Sequence, residues 1–202
     1  MNTRSIKKFN GLTILVDMDN VVANFDKGIA VAHNKKYGTN FTADNIWTNI
    51  PRHGLSQKYN SGRHEFQHQE GFFKTLEPIN GFQSTLKRWR DEYKWNIFFC
   101  SSPSIRSPTC HSDKSQWLRN YLDDDFARHL ILTKDKTVVF GDILIDDRPN
   151  VENHGKFNPF WTQILFENAY TQDVEMPYRI SGWNDPYLEK IILNIMTEKS
   201  KN

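Results

Sequence analysis

The stretch Thr13-Ile14-Leu15-Val16-Asp17-Met18-Asp19 constrains this 202-residue chain more than any other. A short continuous run of β-branched and aliphatic residues makes a buried strand, and this run ends in two carboxylates one residue apart. Carboxylates are costly to bury without partners. In a parallel sheet, ligands bind at the carboxyl ends of the strands, and side chains at i and i+2 of an extended chain point to one side. Asp17 and Asp19 can therefore face one pocket. One would bind a metal or attack an electrophile while the other handles protons. The ordinary alternative is a polar turn after a strand, because Asp and Asn favour turns.

Four further apolar runs read as strands: Trp95 to Cys100, Leu130 to Leu132, Ile143 to Ile145 and Gln163 to Phe166. Between them lie helical patterns: Phe82, Leu86, Trp89 and Tyr93, then Trp117, Leu118 and Tyr121. A last helix is expected over Asp185 to Met196, with Tyr187, Ile191, Ile192 and Ile195 as its apolar stripe. Alternating strands and helices predict a Rossmann-like parallel α/β sheet with crossover connections. The interval between Asp19 and Trp95, about 75 residues, is too long for one crossover. Phe25 to Tyr37 is amphipathic and ends at Gly38, and a more polar helix is expected from Leu55 to Gln69 before Gly71. The expected organisation is a core domain of residues 1–23 and 78–202, with residues 24–77 inserted as a small helical cap over the two aspartates.

Each later strand also ends in chemistry. Cys100-Ser101-Ser102-Pro103 can aim hydroxyls and backbone N–H groups at an anion. In Thr133-Lys134-Asp135-Lys136, two compact point charges suit a phosphate. Asp146-Asp147 before Arg148-Pro149 is a second acidic pair, of the oxygen type that Mg²⁺ prefers. Taken alone, the serine and lysine clusters read more readily as an ordinary loop and a solvated turn, and the acidic pair has the alternative of a turn signal before proline. All four follow predicted strands, however, and so share one sheet edge. There the acids would repel one another unless a cation sat among them. Metal plus phosphate is the economical reading.

Composition narrows the partners. A formal net charge of +2 calls for neither a nucleic-acid polymer nor a membrane surface, and no apolar run approaches the ~20 residues that cross a bilayer. The first ten residues carry Arg4, Lys7 and Lys8 but no apolar signal core, so a cytoplasmic location is expected. A basic, acid-free start is also a feature of transit peptides, but a strand from about Leu12 leaves little room for one. Cys100 and Cys110 make no disulfide framework and no zinc site, and Cys100 reads as a buried thiol. His64-Glu65-Phe66-Gln67-His68 matches the H-E-x-x-H pattern of zinc metalloproteases. Its flanks are polar and no third ligand is evident, so a solvated helix is the favoured reading.

The order Asp-x-Asp, Ser, Lys, Asp-Asp resembles the motifs of the haloacid dehalogenase-like (HAD-like) phosphohydrolases. More narrowly, VDMDNVVANF, GFFKTLEPINGF, CSSPS, LTKDKTVVFGDILIDDRP and WTQILF are similar to segments of the 5′(3′)-deoxyribonucleotidases, from about Leu12 to Trp183. The resemblance implies a Mg²⁺-dependent phosphatase of (deoxy)nucleoside monophosphates that works through an aspartyl-phosphate. A phosphatase of another small ester is the alternative within the superfamily. By the same resemblance, Asp17 is nucleophile and metal ligand. Asp19 is general acid and base, with its main-chain carbonyl on the metal, and Asp146 completes the metal site beside Asp147. Ser101 and Lys136 hold the phosphoryl group, Ser102 and Lys134 assist, and Phe25, Trp47 and Phe73 line the nucleobase pocket. Two departures stand out. Asn20 replaces the usual Gly after the second aspartate, and the turn is expected to survive because Asn tolerates φ > 0. Lys134 stands where Arg is common, which removes a bidentate phosphate contact. Oligomeric state is left open, a homodimer among the options.

Overall fold

A computed structural model describes residues 11–50 and 62–201. Its centre is a six-stranded, wholly parallel sheet. The strands are β1 (Thr13–Val16), β2 (Asn96–Ser101), β3 (Leu130–Leu132), β4 (Ile143–Asp146), β5 (Thr162–Phe166) and β6 (Arg179–Ile180), in the order β3-β2-β1-β4-β5-β6. From β1 the chain winds outward through β2 and β3, then returns to lay β4, β5 and β6 on the other side. The winding reverses between β1 and β4, and the crevice at such a reversal is where open α/β sheets bind ligands. Register puts Val16 beside both Phe99 and Ile145, so β1 and β4 end level with each other.

Side-chain alternation divides the core. Ile14, Val16, Ile97, Phe99 and Ile145 join the larger cluster with Phe82, Trp89, Trp117 and Ile192. Leu15, Cys100 and Leu144 point to the opposite face, toward Val151 and Trp161. The helices covering the sheet include α4 (Phe82–Asp91), α5 (Cys110–Tyr121), α6 (Asp124–Arg128) and α7 (Leu188–Lys199).

After β1 come α1 (Phe25–Tyr37), α2 (Ile46–Asn49) and α3 (Arg63–Gln67), with α1 packed on both of the others. Asn24 caps α1 by accepting from the Lys27 amide at 3.3 Å, and Gly38 closes it at φ 64°. The outgoing and returning chains meet where the Asn24 amide donates to the Glu77 carbonyl at 2.8 Å. The helix expected over 55–69 is described only as α3, because residues 55–61 lie outside the described set.

Two elements differ from the sequence reading. The last helix starts at Leu188, not Asp185, because the Asp185 carboxylate accepts from the Ser181 and Tyr187 amides (3.0 and 2.9 Å) and holds a turn there instead. Strand β6 was not anticipated: two residues give no periodic signal. Among the described residues no helix is long and apolar enough to cross a membrane.

Candidate active site

The carboxyl ends of β1, β2 and β4 and the loop after β3 converge beneath one cleft of about 490 Å³. Asp17 extends β1, its amide donating to the Ile145 carbonyl at 2.9 Å, and thereby lies beside Asp146 at the end of β4. Lys136 Nζ sits between them, 3.0 Å from Asp17 Oδ1 and 2.5 Å from Asp146 Oδ2. All three are buried. The loop that delivers Lys136 is held by Asp135, which accepts from the Thr137 and Lys156 amides at 2.9 and 3.0 Å. Gly155 lets that approach happen, since a Cβ there would lie 2.1 Å from Thr137 Cγ2.

Asp17, Asp146 and Asp147 each offer a carboxylate oxygen, all within 4.8 Å of one another. Among the described residues this is the one group of three or more His, Cys, Asp or Glu side chains so disposed. Among the described residues, Asp17 Oδ1, apart from its ion pair with Lys136, and Asp19 Oδ1 are buried without a hydrogen bond. Converging oxygens, with four acids against two lysines, fit a hard divalent cation. Burial pushes the Asp147 carboxyl well up, and Asp146 and Asp17 push it further. Asp146 is also raised by burial, against the pull of Lys136. Burial raises Asp17 too, but Lys136 and Lys114 outweigh it, leaving this carboxyl below its usual range and ionised. A bound cation would hold the other two ionised as well.

Asp19 has a different partner, which the sequence reading missed. Lys114, in the middle of α5, donates to Asp19 Oδ2 at 2.9 Å and to Ser101 Oγ at 2.7 Å, and is 1% exposed. Its ammonium also lies 5.0 Å from the centre of the Phe73 ring. A signal was present. Cys110, Asp113, Lys114, Trp117 and Leu118 form the buried face of α5, so a lysine occupies a core position on that stripe. Burial raises the Asp19 carboxyl; Lys114 opposes this, Asp17 adds to it, and the net direction is up. Burial likewise pushes the Cys100 thiol up to about 12, so it is no thiolate nucleophile.

The expected phosphate residues divide into two levels. Ser102 and Lys134 line the cleft, while Ser101 and Lys136 lie just beneath its surface. Phe25, Trp47 and Phe73 all line the cleft. Phe25 and Phe73 are buried and stacked, with centroids 6.1 Å apart, whereas Trp47 is half-buried on α2. Arg63, His64, His68, Ile105, Arg106 and Arg148 complete the upper wall. In the H-E-x-x-H segment the His64 and His68 rings stack with centroids 5.2 Å apart, and neither belongs to a group of three metal-ligating side chains among the described residues. Gln67 Nε2 lies 2.7 Å from His64 Nδ1 and 3.3 Å from His68 Nε2, while Glu65 turns to Lys36 and Tyr37 on α1.

Comparison with known proteins agrees with this geometry. Residues 10–197 match the family described as 5′ nucleotidase, deoxy (pyrimidine), cytosolic type C. The human cytosolic-type 5′(3′)-deoxyribonucleotidase is 30% identical over 191 residues, covering 87% of this chain and 91% of that one. In fold, the chain is similar to a HAD-superfamily hydrolase from Geobacter sulfurreducens (TM-score 0.56, 10% identity, 91% of this chain and 99% of that one). It is also similar to the Bacillus subtilis HAD-hydrolase YfnB, solved bound to magnesium (TM-score 0.52, 11% identity, 92% and 99%). With a HAD-like parallel sheet and a family match along nearly its whole length, the chain belongs to the 5′(3′)-deoxyribonucleotidase family.

Proposed function

We propose that this protein is a Mg²⁺-dependent phosphomonoesterase that hydrolyses (deoxy)nucleoside monophosphates through an aspartyl-phosphate. The observation that carries the reading is the position of Asp17 at the sheet's reversal point, within ion-pair reach of Lys136 and beside the Asp146–Asp147 pair. Family membership and the magnesium-bound fold relative support it. Residues 24–77 would act as the cap that supplies the nucleobase wall.

Asp17, Asp146 and Asp147, with the main-chain carbonyl of Asp19, would hold the cation. When bound, Mg²⁺ neutralises charge on the phosphoryl oxygens. A carboxylate oxygen of Asp17 attacks phosphorus, and the bond from phosphorus to the sugar oxygen breaks. Asp19 gives its proton to that departing oxygen, a task that the upward shift of its carboxyl by burial favours. Lys114 keeps Asp19 in place through Oδ2 and leaves Oδ1 to carry the proton. In the second half, Asp19 takes a proton from water, the water oxygen attacks phosphorus, and phosphate leaves Asp17 free. Lys136, fixed against Asp17, meets any phosphoryl group that Asp17 attacks, while Ser102 and Lys134 meet it from the cleft wall. We assign the activity to free nucleotides rather than polymers and to the cytoplasm, the latter in line with the cytosolic type named for one human relative.

The direct test is phosphate release from a panel of nucleoside monophosphates and simple phosphate esters, with Mg²⁺ and with EDTA. Mg²⁺-dependent release that favours nucleotides supports the reading. Release indifferent to EDTA overturns the metal assignment, and preference for non-nucleotide esters moves the substrate to another small phosphate.

A further inference from the structure

The loop between β1 and α1 turns at Asn20, which has φ 60° and is one of three non-glycine residues with positive φ among those described. Glycine would make this turn as readily, so the backbone alone does not explain an asparagine. Its carboxamide is used at both ends. Asn20 Oδ1 accepts from the Asp26 amide at 2.9 Å, in the first turn of α1, and Asn20 Nδ2 donates to Asp147 Oδ2 at 3.2 Å. A second amide, Asn168 Nδ2 at the far side, donates to the same oxygen at 3.4 Å. Both amides approach Oδ2 of Asp147, and none of the hydrogen bonds among the described residues goes to Oδ1.

We infer that Asn20 is a positioning residue: its carboxamide orients Asp147 toward the cation that Asp17, Asp146 and Asp147 would hold, and ties that carboxylate to the helix carrying Phe25. This inference rests on the metal reading proposed above. Three physical points support it. A carboxylate with one oxygen held by donors from two sides has its free oxygen's direction fixed, which is what partners of metal ligands do. An amide brings no charge, so it braces Asp147 without adding repulsion to a cluster already crowded with acids. The acceptor end, occupied by Asp26 N–H, fixes the tilt of the carboxamide and hence where Nδ2 points. The plain alternative is that Asn20 serves only as an extra cap for α1, alongside the Asn24 cap.

Asn20→Gly separates the two, because glycine keeps the positive φ and removes only the carboxamide. The measurement is Mg²⁺ binding to substrate-free protein by titration calorimetry, alongside melting in EDTA. We expect about 10-fold weaker Mg²⁺ binding, the lower end for lost partners of metal ligands. In an Asp147→Asn background the same change should have no further effect on Mg²⁺ binding. Asn168→Ala should weaken binding in the same direction, and it carries the test should Asn20→Gly fold poorly. A melting change with Mg²⁺ affinity held within twofold would reduce Asn20 to a helix cap and overturn the inference. So would an equal loss in the Asp147→Asn background. If the parent protein itself binds no Mg²⁺, the metal reading falls first and this inference with it.

Discussion

The floor of the cleft and its upper wall are built on opposite terms. On the floor Lys114, Lys136, Ser101 and Asp146 are buried, and each ammonium touches two oxygens: Asp19 and Ser101 for Lys114, Asp17 and Asp146 for Lys136. On the wall Lys134, Arg106 and Arg148 are exposed and Ile105 is 75% exposed. Arg148 comes no nearer than 4.0 Å to Asp146 Oδ1. A buried charge that loses its partner leaves the other uncompensated, at a cost of several kcal/mol. An exposed charge is screened, and its loss costs a fraction of that. On the function proposed above, the difference would place the chemistry on the floor and substrate selection on the wall. It also predicts that substitutions will fall into two groups by size and by kind of effect.

The largest effect is expected on the floor. Asp17→Asn keeps the shape and removes the nucleophile, so turnover should fall on the order of 10³-fold or more. Nucleotides and p-nitrophenyl phosphate should suffer alike, since both need the same bond to form at phosphorus. Steady-state kinetics on the two substrates, with circular dichroism as the folding control, make the measurement. Wild-type rates in this variant would remove Asp17 from the mechanism.

Next comes Lys114→Met, of similar length but uncharged. It strips Asp19 and Ser101 of one shared partner, and kcat should fall about 10²-fold, the scale of a misplaced general acid. The sign of the pH effect is fixed by the site. Lys114 lowers the Asp19 carboxyl, so its removal raises that carboxyl further, and the proton donor survives to higher pH. The alkaline limb of the kcat/KM profile should therefore move upward. A limb that stays in place, or moves down, would break the link between Lys114 and Asp19.

That the sequence reading missed Lys114 shows which parts of the molecule are legible without coordinates. Asp17, Ser101 and Asp146 each stand directly after an apolar run and Lys136 four residues after one, and a parallel sheet gathers strand ends whatever their distance along the chain. The fold and four of the floor residues followed from that one fact. Lys114 reaches the site sideways from α5, and only its place on the helix's buried stripe marks it. The two levels of Ser101 and Ser102 were not legible either. Which of two adjacent hydroxyls faces the cleft depends on where the strand stops, and β2 runs one residue past the expected end, through Ser101. For His64 and His68 the polar flanks and the missing third ligand already favoured a plain helix over a metal site, and the structure adds Glu65 turning to Lys36 and Tyr37, contacts made across two helices.

On the wall the effects should be smaller and should depend on the substrate. Trp47→Ala removes the half-buried aromatic, and stacking on a base is worth ~1–3 kcal/mol. We expect about a 10-fold loss in kcat/KM for nucleoside monophosphates and less than a twofold change for p-nitrophenyl phosphate. Phe25 and Phe73 would not sharpen the comparison, because they are buried against each other and their truncation would cost ~3–5 kcal/mol of stability. An equal loss on both substrates for Trp47→Ala would remove this residue from base recognition.

Arg106→Ala should have the smallest effect. Arg106 is exposed, makes no ion pair among the described residues, and lies close enough to His68 to help lower that imidazole, after burial. Its pull on an incoming phosphate acts through solvent, so at ~0.15 M salt, where screening sets in within ~8 Å, KM should rise by no more than about threefold with kcat unchanged. That small effect should grow at low ionic strength and vanish at high. The floor variants should instead keep their defects at every salt concentration, because no counterion reaches Lys114 or Lys136. A loss at Arg106 that ignores salt, or appears in kcat, would mean the wall shares in the chemistry and the division between the two regions does not hold.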